Sequence, residues 1–170
     1  MASALTHRNL PLLLLQAREA VLSHFRPIIT HFGLTEQQWR ILRTLSENES
    51  MEPRQIAEVC MILGPSLAGV LARMDELGLV ERRRVDTDQR RVLVSLTAKS
   101  RDLVKRMAPL IEAQYAELER AVGRAAIAEA YRTVDLLLEQ LRAPVAPVEL
   151  PRASPRRAAR RTSARKTLRS

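Results

Sequence analysis

With 170 residues the chain has room for one domain, or one domain and an appendage, which excludes a large multi-domain enzyme. Apolar residues make up 46% but only five are aromatic, so a core must come from Leu, Ala, Val and Ile on helices. The formal charge of +9 gathers at the end: residues 143–170 hold Arg152, Arg156, Arg157, Arg160, Arg161, Arg165, Lys166 and Arg169 against Glu149, or +7, leaving only +2 for residues 1–142.

Apolar positions at helical spacing run from Leu10 through Leu14, Ala17, Val21, Phe25 and Ile29 to Phe32, and Gly33 stops that helix. Thr35 with Gln38 makes a capping-box start for a second helix with Trp39, Leu42 and Leu45 on its inner side. A short third helix begins at Pro53, where a missing N–H costs nothing, and buries Ile56, Ala57 and Cys60. After a turn at 61–63, a fourth begins at Gly64 and Pro65, carries Leu67, Val70, Leu71, Met74 and Leu77 at helical intervals with the first four as its apolar face, and closes at Gly78. Val80–Val85 and Arg91–Leu96 read as two strands, with residues 86–90 as the hairpin loop. Thr97 starts a long helix that Pro109 must bend or deprive of one hydrogen bond, and Gly123 separates it from a last helix carrying Ile127, Tyr131, Val134, Leu138 and Leu141. Residues 143–170 lack apolar periodicity and read as a disordered Arg-rich tail.

Cys60 alone allows no intrachain disulfide and, in an apolar helical stretch, reads as a buried structural thiol. The run Leu10–Leu15 is too short for a bilayer and lacks a signal-peptide cleavage pattern, so the expectation is a cytoplasmic protein with no membrane partner.

Three helices followed by a hairpin with a basic tip is the order of a winged helix-turn-helix. A helix fits a major groove about 12 Å wide, and a narrow cationic loop enters the adjoining minor groove. On the fourth helix Ser66, Ala68, Gly69 and Arg73 are left on or near the outer face, small enough near the N-terminus for close approach to bases, and the helix N-terminus at Pro65 and Ser66 offers unpaired N–H groups to a phosphate. The hairpin sets Arg82, Arg83, Arg84, Arg90 and Arg91 against Asp86 and Asp88, with Arg90 as the candidate for the minor groove and Asp88 orienting its guanidinium. Charge runs more often merely solvate an exposed hairpin; the helix-turn-helix pattern in front of this one favours duplex DNA.

The runs Ile56-Ala57-Glu58-Val59-Cys60, Pro65-Ser66-Leu67-Ala68-Gly69-Val70-Leu71-Ala72-Arg73-Met74, Leu77-Gly78-Leu79-Val80, Asp88-Gln89-Arg90-Arg91 and Val92-Leu93-Val94-Ser95-Leu96-Thr97 together resemble the MarR family of transcription regulators. Within it, Cys60, Ile62-Leu63 and Pro65-Ser66-Leu67 resemble the subgroup that represses aromatic acid catabolism (HpaR-like). Gly64 stands where that subgroup is expected to have Arg, so the resemblance does not carry a phosphate contact over to this position, and Ser100 replaces the usual Gly after Leu-Thr. The resemblance implies a mainly α fold with a β-hairpin wing: residues 1–142 as one MarR-type domain, with a DNA-binding lobe over about 35–97 and dimerisation helices over about 8–32 and 98–142. The surplus apolar surface of the first and last two helices agrees with a homodimer, whose two lobes would read pseudo-palindromic half-sites about one helical turn apart.

In the family, a small aromatic acid in the cleft between dimerisation helices and lobe often releases DNA. The residues expected to take an aromatic or pyridine carboxylate are Arg8 for the carboxylate, Asn9 and His24 for ring hydroxyl or nitrogen groups, and Trp39 as an aromatic wall, with His31 and Arg26 as second choices. Each of these residue types is more often ordinary helix surface or core. An enzyme finds little support: there is no Gly-rich phosphate loop, no zinc-type Cys/His spacing, no catalytic grouping and no cofactor motif. The rivals that stay open are a nonspecific nucleic-acid protein binding through its tail, and a regulator without a ligand.

Overall fold

A computed structural model describes residues 5–86 and 88–150, with the Gln89 side chain left out. Among them the elements are α1 (Leu10–His31), α2 (Glu36–Glu47), α3 (Pro53–Val59), α4 (Gly64–Glu76), β1 (Val80–Val85), β2 (Asp88–Leu96), α5 (Ala98–Val122) and α6 (Arg124–Gln140). The mainly helical class with a two-stranded hairpin is therefore as expected. The described residues divide into two compact units, one ending at Arg124 and the other beginning at Ala125. No single helix among the described residues is long and apolar enough to cross a membrane.

Local chemistry explains where the helices start. Asn9 caps α1 by accepting from the Leu12 N–H at 3.1 Å. The capping box of α2 is complete: Thr35 Oγ1 accepts from the Gln38 N–H (3.2 Å) and Gln38 Oε1 from the Thr35 N–H (2.9 Å). Thr97 caps α5 by accepting from the Ser100 N–H at 3.2 Å, and its hydroxyl donates to the Gly78 carbonyl at 2.8 Å, tying α5 to the end of α4. Ser100 is fully buried and donates its hydroxyl to the Thr97 carbonyl at 3.1 Å. Both α1 and α5 continue through an internal proline, Pro27 and Pro109.

Three helices stop in the same way. At Gly33 (φ 71) the Leu34 N–H donates to the Ile29 carbonyl at 3.1 Å, and at Gly78 (φ 63) the Leu79 N–H donates to the Met74 carbonyl at 2.8 Å. At the end of α3 the left-handed position is held by Met61 (φ 49), with the Ile62 N–H donating to the Ala57 carbonyl at 3.0 Å. A side chain at positive φ costs about 1–2 kcal/mol relative to glycine, so this turn stores strain that the packing on both sides sustains.

The core is built on α2, whose Ile41 and Leu42 are fully buried among Ile56 of α3, Leu71 and Met74 of α4, and Val94 of β2. Leu67, Leu71 and Met74 point inward as expected, but Val70 is only half-buried and Leu77 is exposed. The chain reverses at Gly78 immediately after Leu77, and Leu79 and Val80 take the inner place instead. On the other side, α1 meets α5 where the Phe25 and Tyr115 rings lie 4.7 Å apart.

The strands β1 and β2 run antiparallel from Val80↔Leu96 to Arg84↔Val92, and Val85 then pairs with Asp88. Strand β2 thus begins three residues earlier than expected, and Asp88, Gln89 and Arg90 belong to it rather than to the loop. The pairing of Asp88 with Val85 extends the strand, with Gln89 and Arg90 in a bulge. Met51 adds a short bridge on the far side of β2, exchanging backbone hydrogen bonds with Val94 at 3.0 and 2.9 Å.

Considered alone, α6 buries none of its residues and exposes Tyr131, Val134, Leu136 and Leu138. Residues 143–150 form no helix or strand and are exposed, and the rest of the expected tail, 151–170, lies outside the described residues.

Candidate nucleic-acid interface

Helices α3 and α4 cross at 112°, within the range by which a helix-turn-helix lays its second helix into a groove. Gly64, Pro65, Ser66, Ala68, Gly69 and Arg73 of α4 are all exposed. Its N-cap, Leu63, supplies no side-chain acceptor, so the first-turn N–H groups stay available to an outside acceptor. A side chain built at Gly64 or Gly69 would meet nothing within 4 Å. Packing within the chain therefore does not demand glycine there, whereas close approach of the α4 backbone to another molecule would use it.

The arginines fall into two groups. Arg73 pairs with Glu76 (2.9 Å), Arg82 with Asp75 (3.6 Å) and Arg91 with Glu52 (2.5 Å). Arg83, Arg84 and Arg90 are exposed and make no ion pair among the described residues, which leaves their full charge for a polyanion. The expectation that Asp88 orients the Arg90 guanidinium is corrected: Asp88 Oδ1 accepts from the Arg90 backbone N–H at 3.0 Å. A carboxylate two residues upstream is well placed to close an Asx-type turn, and this leaves the guanidinium free.

The expected effector residues do not converge. Arg8 and Asn9 lie at the exposed start of α1, and His24 is exposed about 22 Å further along the same helix at 1.5 Å per residue. Hydrogen bonds to Glu19 (2.8 Å) and Glu36 (2.6 Å) hold the Arg26 guanidinium above its ordinary pKa, and His31 rests edge-on against Phe32 at 5.2 Å. Trp39 is different. It is half-buried and lines a cavity of about 170 Å³ between α2 and α5 with Arg43, Val104, Ala108 and Ile111. A second hollow of about 570 Å³ adjoins it through Ser46, Glu47 and Val104 and adds Arg101 and Lys105. Arg43, held 3.3 Å from Glu47, is a cation beside an aromatic wall that the sequence reading passed over. Its spacing of four from Trp39 on one helix was the available signal. No group of three His, Cys, Asp or Glu among the described residues could hold a metal ion.

Comparison with known proteins agrees with this geometry. The sequence pattern of the MarR family matches residues 32–91, from the end of α1 to the wing. The homoprotocatechuate degradative operon repressor of Escherichia coli is 47% identical over 113 residues, covering 66% of this chain and 76% of its own. The crystal structure of NadR in complex with 4-hydroxyphenylacetate superposes with a TM-score of 0.72 at 36% identity, covering 85% of this chain and all of that one. CouR bound to a 23-mer DNA duplex superposes with a TM-score of 0.69 at 25% identity, covering 76% of this chain and 92% of that one. From the left-handed stop of α1 to the arginine wing, the chain belongs to the MarR family, a family of DNA-binding transcription regulators and not of enzymes.

Proposed function

We propose that the protein is a homodimeric repressor that binds a pseudo-palindromic operator and is released from it by a small aromatic or pyridine carboxylic acid. In this reading α4 enters the major groove with Pro65, Ser66 and Gly69 at the bases and phosphates. Arg73, Arg82, Arg83 and Arg84 add positive charge, and Arg90 reaches the minor groove from a wing shaped by Asp88 and Arg91. The observation that carries the reading is the pairing, in one compact unit, of an exposed helix-turn-helix and three wing arginines without an ion pair among the described residues with a cleft that holds Trp39 beside Arg43. Support comes from a repressor of an aromatic degradation operon at 47% identity and a relative with 4-hydroxyphenylacetate bound at 36%.

Trp39 supplies the aromatic wall and Arg43 the carboxylate partner. Arg8, Asn9 and His24 join only as a set divided between protomers, because a single-ring acid cannot span the distance from Asn9 to His24 on one helix. The domain plan then assigns 35–97 to DNA, and 8–32 with 98–142 to the dimer. An effector acts by preferring the dimer geometry in which the two α4 helices no longer match the half-sites; a hundredfold loss of DNA affinity needs about 2.7 kcal/mol of differential binding.

The test is a titration against duplexes from the intergenic DNA upstream of its own coding sequence, with and without 4-hydroxyphenylacetate, homoprotocatechuate and hydroxynicotinate. Tight binding to one palindrome, weakened by one acid and lost on Arg90→Ala, supports the reading. Equal binding to every duplex, insensitive to Arg90→Ala and removed by truncation at Ala143, overturns it in favour of a tail that binds nucleic acid through its +7 charge.

A further inference from the structure

The hairpin is irregular at the place where its charge is greatest. Arg84 pairs with Val92 and Val85 with Asp88, so Gln89, Arg90 and Arg91 have no opposed residue in β1 and β2 bulges there. In an isolated two-stranded ribbon the ladder does not fix the direction of such residues, and a contact from elsewhere must. Glu52 makes that contact: its Oε1 accepts from Arg91 Nε at 2.7 Å and from the second guanidinium nitrogen at 2.5 Å.

Glu52 is itself well anchored. Its backbone N–H donates to Gln55 Oε1 at 2.8 Å at the start of α3, and its neighbour Met51 is hydrogen-bonded to Val94 in both directions. One carboxylate thus links the bulge to the helix that precedes the helix-turn-helix turn. Electrostatics alone argues against a carboxylate on this face, since a negative charge beside the wing arginines weakens their attraction for phosphate. Stability is not its reward either, because an ion pair with side chains 55% and 32% exposed adds little to the folding free energy.

We propose that the Glu52–Arg91 pair is a strut that sets the wing bulge, and with it Arg90, at a defined distance from α4. Glu52 and Arg91 are positioning residues for DNA recognition, and Arg91 makes no phosphate contact of its own. The inference rests on the reading that α4 and the wing bind DNA.

The experiment measures affinity and its salt dependence for full-length protein on the duplex that the unaltered protein selects from a randomised library, with melting temperatures recorded for every variant. Arg90→Ala is the control for the underlying reading: it lowers affinity and makes the slope of log K against log salt shallower by about one per protomer. Glu52→Gln is expected to lower affinity about fivefold to tenfold at unchanged slope and melting temperature. Arg91→Ala does the same, and in that background Glu52→Gln raises affinity, because only the repulsive charge is left to remove. If Glu52→Gln strengthens binding in the unaltered protein, or Arg91→Ala makes the slope shallower by about one per protomer, Arg91 is a direct phosphate contact and the strut is overturned while the DNA-binding reading stands. A lowered melting temperature for Glu52→Gln that accounts for the affinity loss also overturns it, and an inert Arg90→Ala removes both.

Discussion

Helices α4 and α6 are composed from similar materials and end in opposite situations. Both alternate apolar and polar residues at helical spacing, yet α4 buries Leu67, Leu71 and Met74 against α2, α3 and β1, while α6 buries nothing and holds Tyr131, Val134, Leu136 and Leu138 in the open. The difference teaches that amphipathic periodicity states a requirement without naming what meets it. For α4 the requirement is met within the chain. For α6, and separately for the exposed Leu12, Leu14 and Leu15 of α1, a second copy is the proposed answer, since exposed apolar helix faces of this kind mark an interaction surface.

The contrast can be broken at either helix. Leu71→Ala removes a side chain that is 2% exposed and is expected to cost about 2–5 kcal/mol of stability, read as a shift in urea midpoint; a change within 0.5 kcal/mol would mean that α4 is not seated as described. Leu138→Asp is the sharper test, because the side chain is 64% exposed in the single chain and a monomer would tolerate it. The dimer reading expects sedimentation to show a halved mass and operator affinity to fall about a hundredfold, as the half-sites lose their linkage. Unchanged mass and affinity would send the partner of α6 elsewhere.

A smaller effect tests the joint between α3 and α4. Met61→Gly relieves a positive φ at a position whose two counterparts, Gly33 and Gly78, are already glycine, and it is expected to raise stability by about 0.5–1 kcal/mol, the gain being reduced by the greater freedom of glycine in the unfolded chain. Thermal melting measures it. Equal or lower stability would show that the exposed Met61 side chain contributes contacts outweighing the strain.

That joint also marks where local reading reaches its limit. The ends of α1 and α4 were legible because glycine announces the left-handed stop, and the end of α3 was placed only by the polar and apolar rhythm around it. The start of β2 lies three residues before the point that composition suggests, because Asp88, Gln89 and Arg90 look like loop, and only the pairing of Asp88 with Val85 extends the strand through them.

Local sequence is enough for the starts of α2 and α5, through Thr35 and Thr97, for the inward Leu67, Leu71 and Met74 of α4, and for the cationic character of the hairpin. These depend on neighbours within about four residues, the range over which caps and helical periodicity act. That Arg43 shares a cavity with residues of α5, and that Arg91 is bound by a carboxylate 39 residues earlier, follow only from the packed fold. Such pairings depend on how separate elements approach in space, and no spacing along a chain encodes them until the core has brought those elements together.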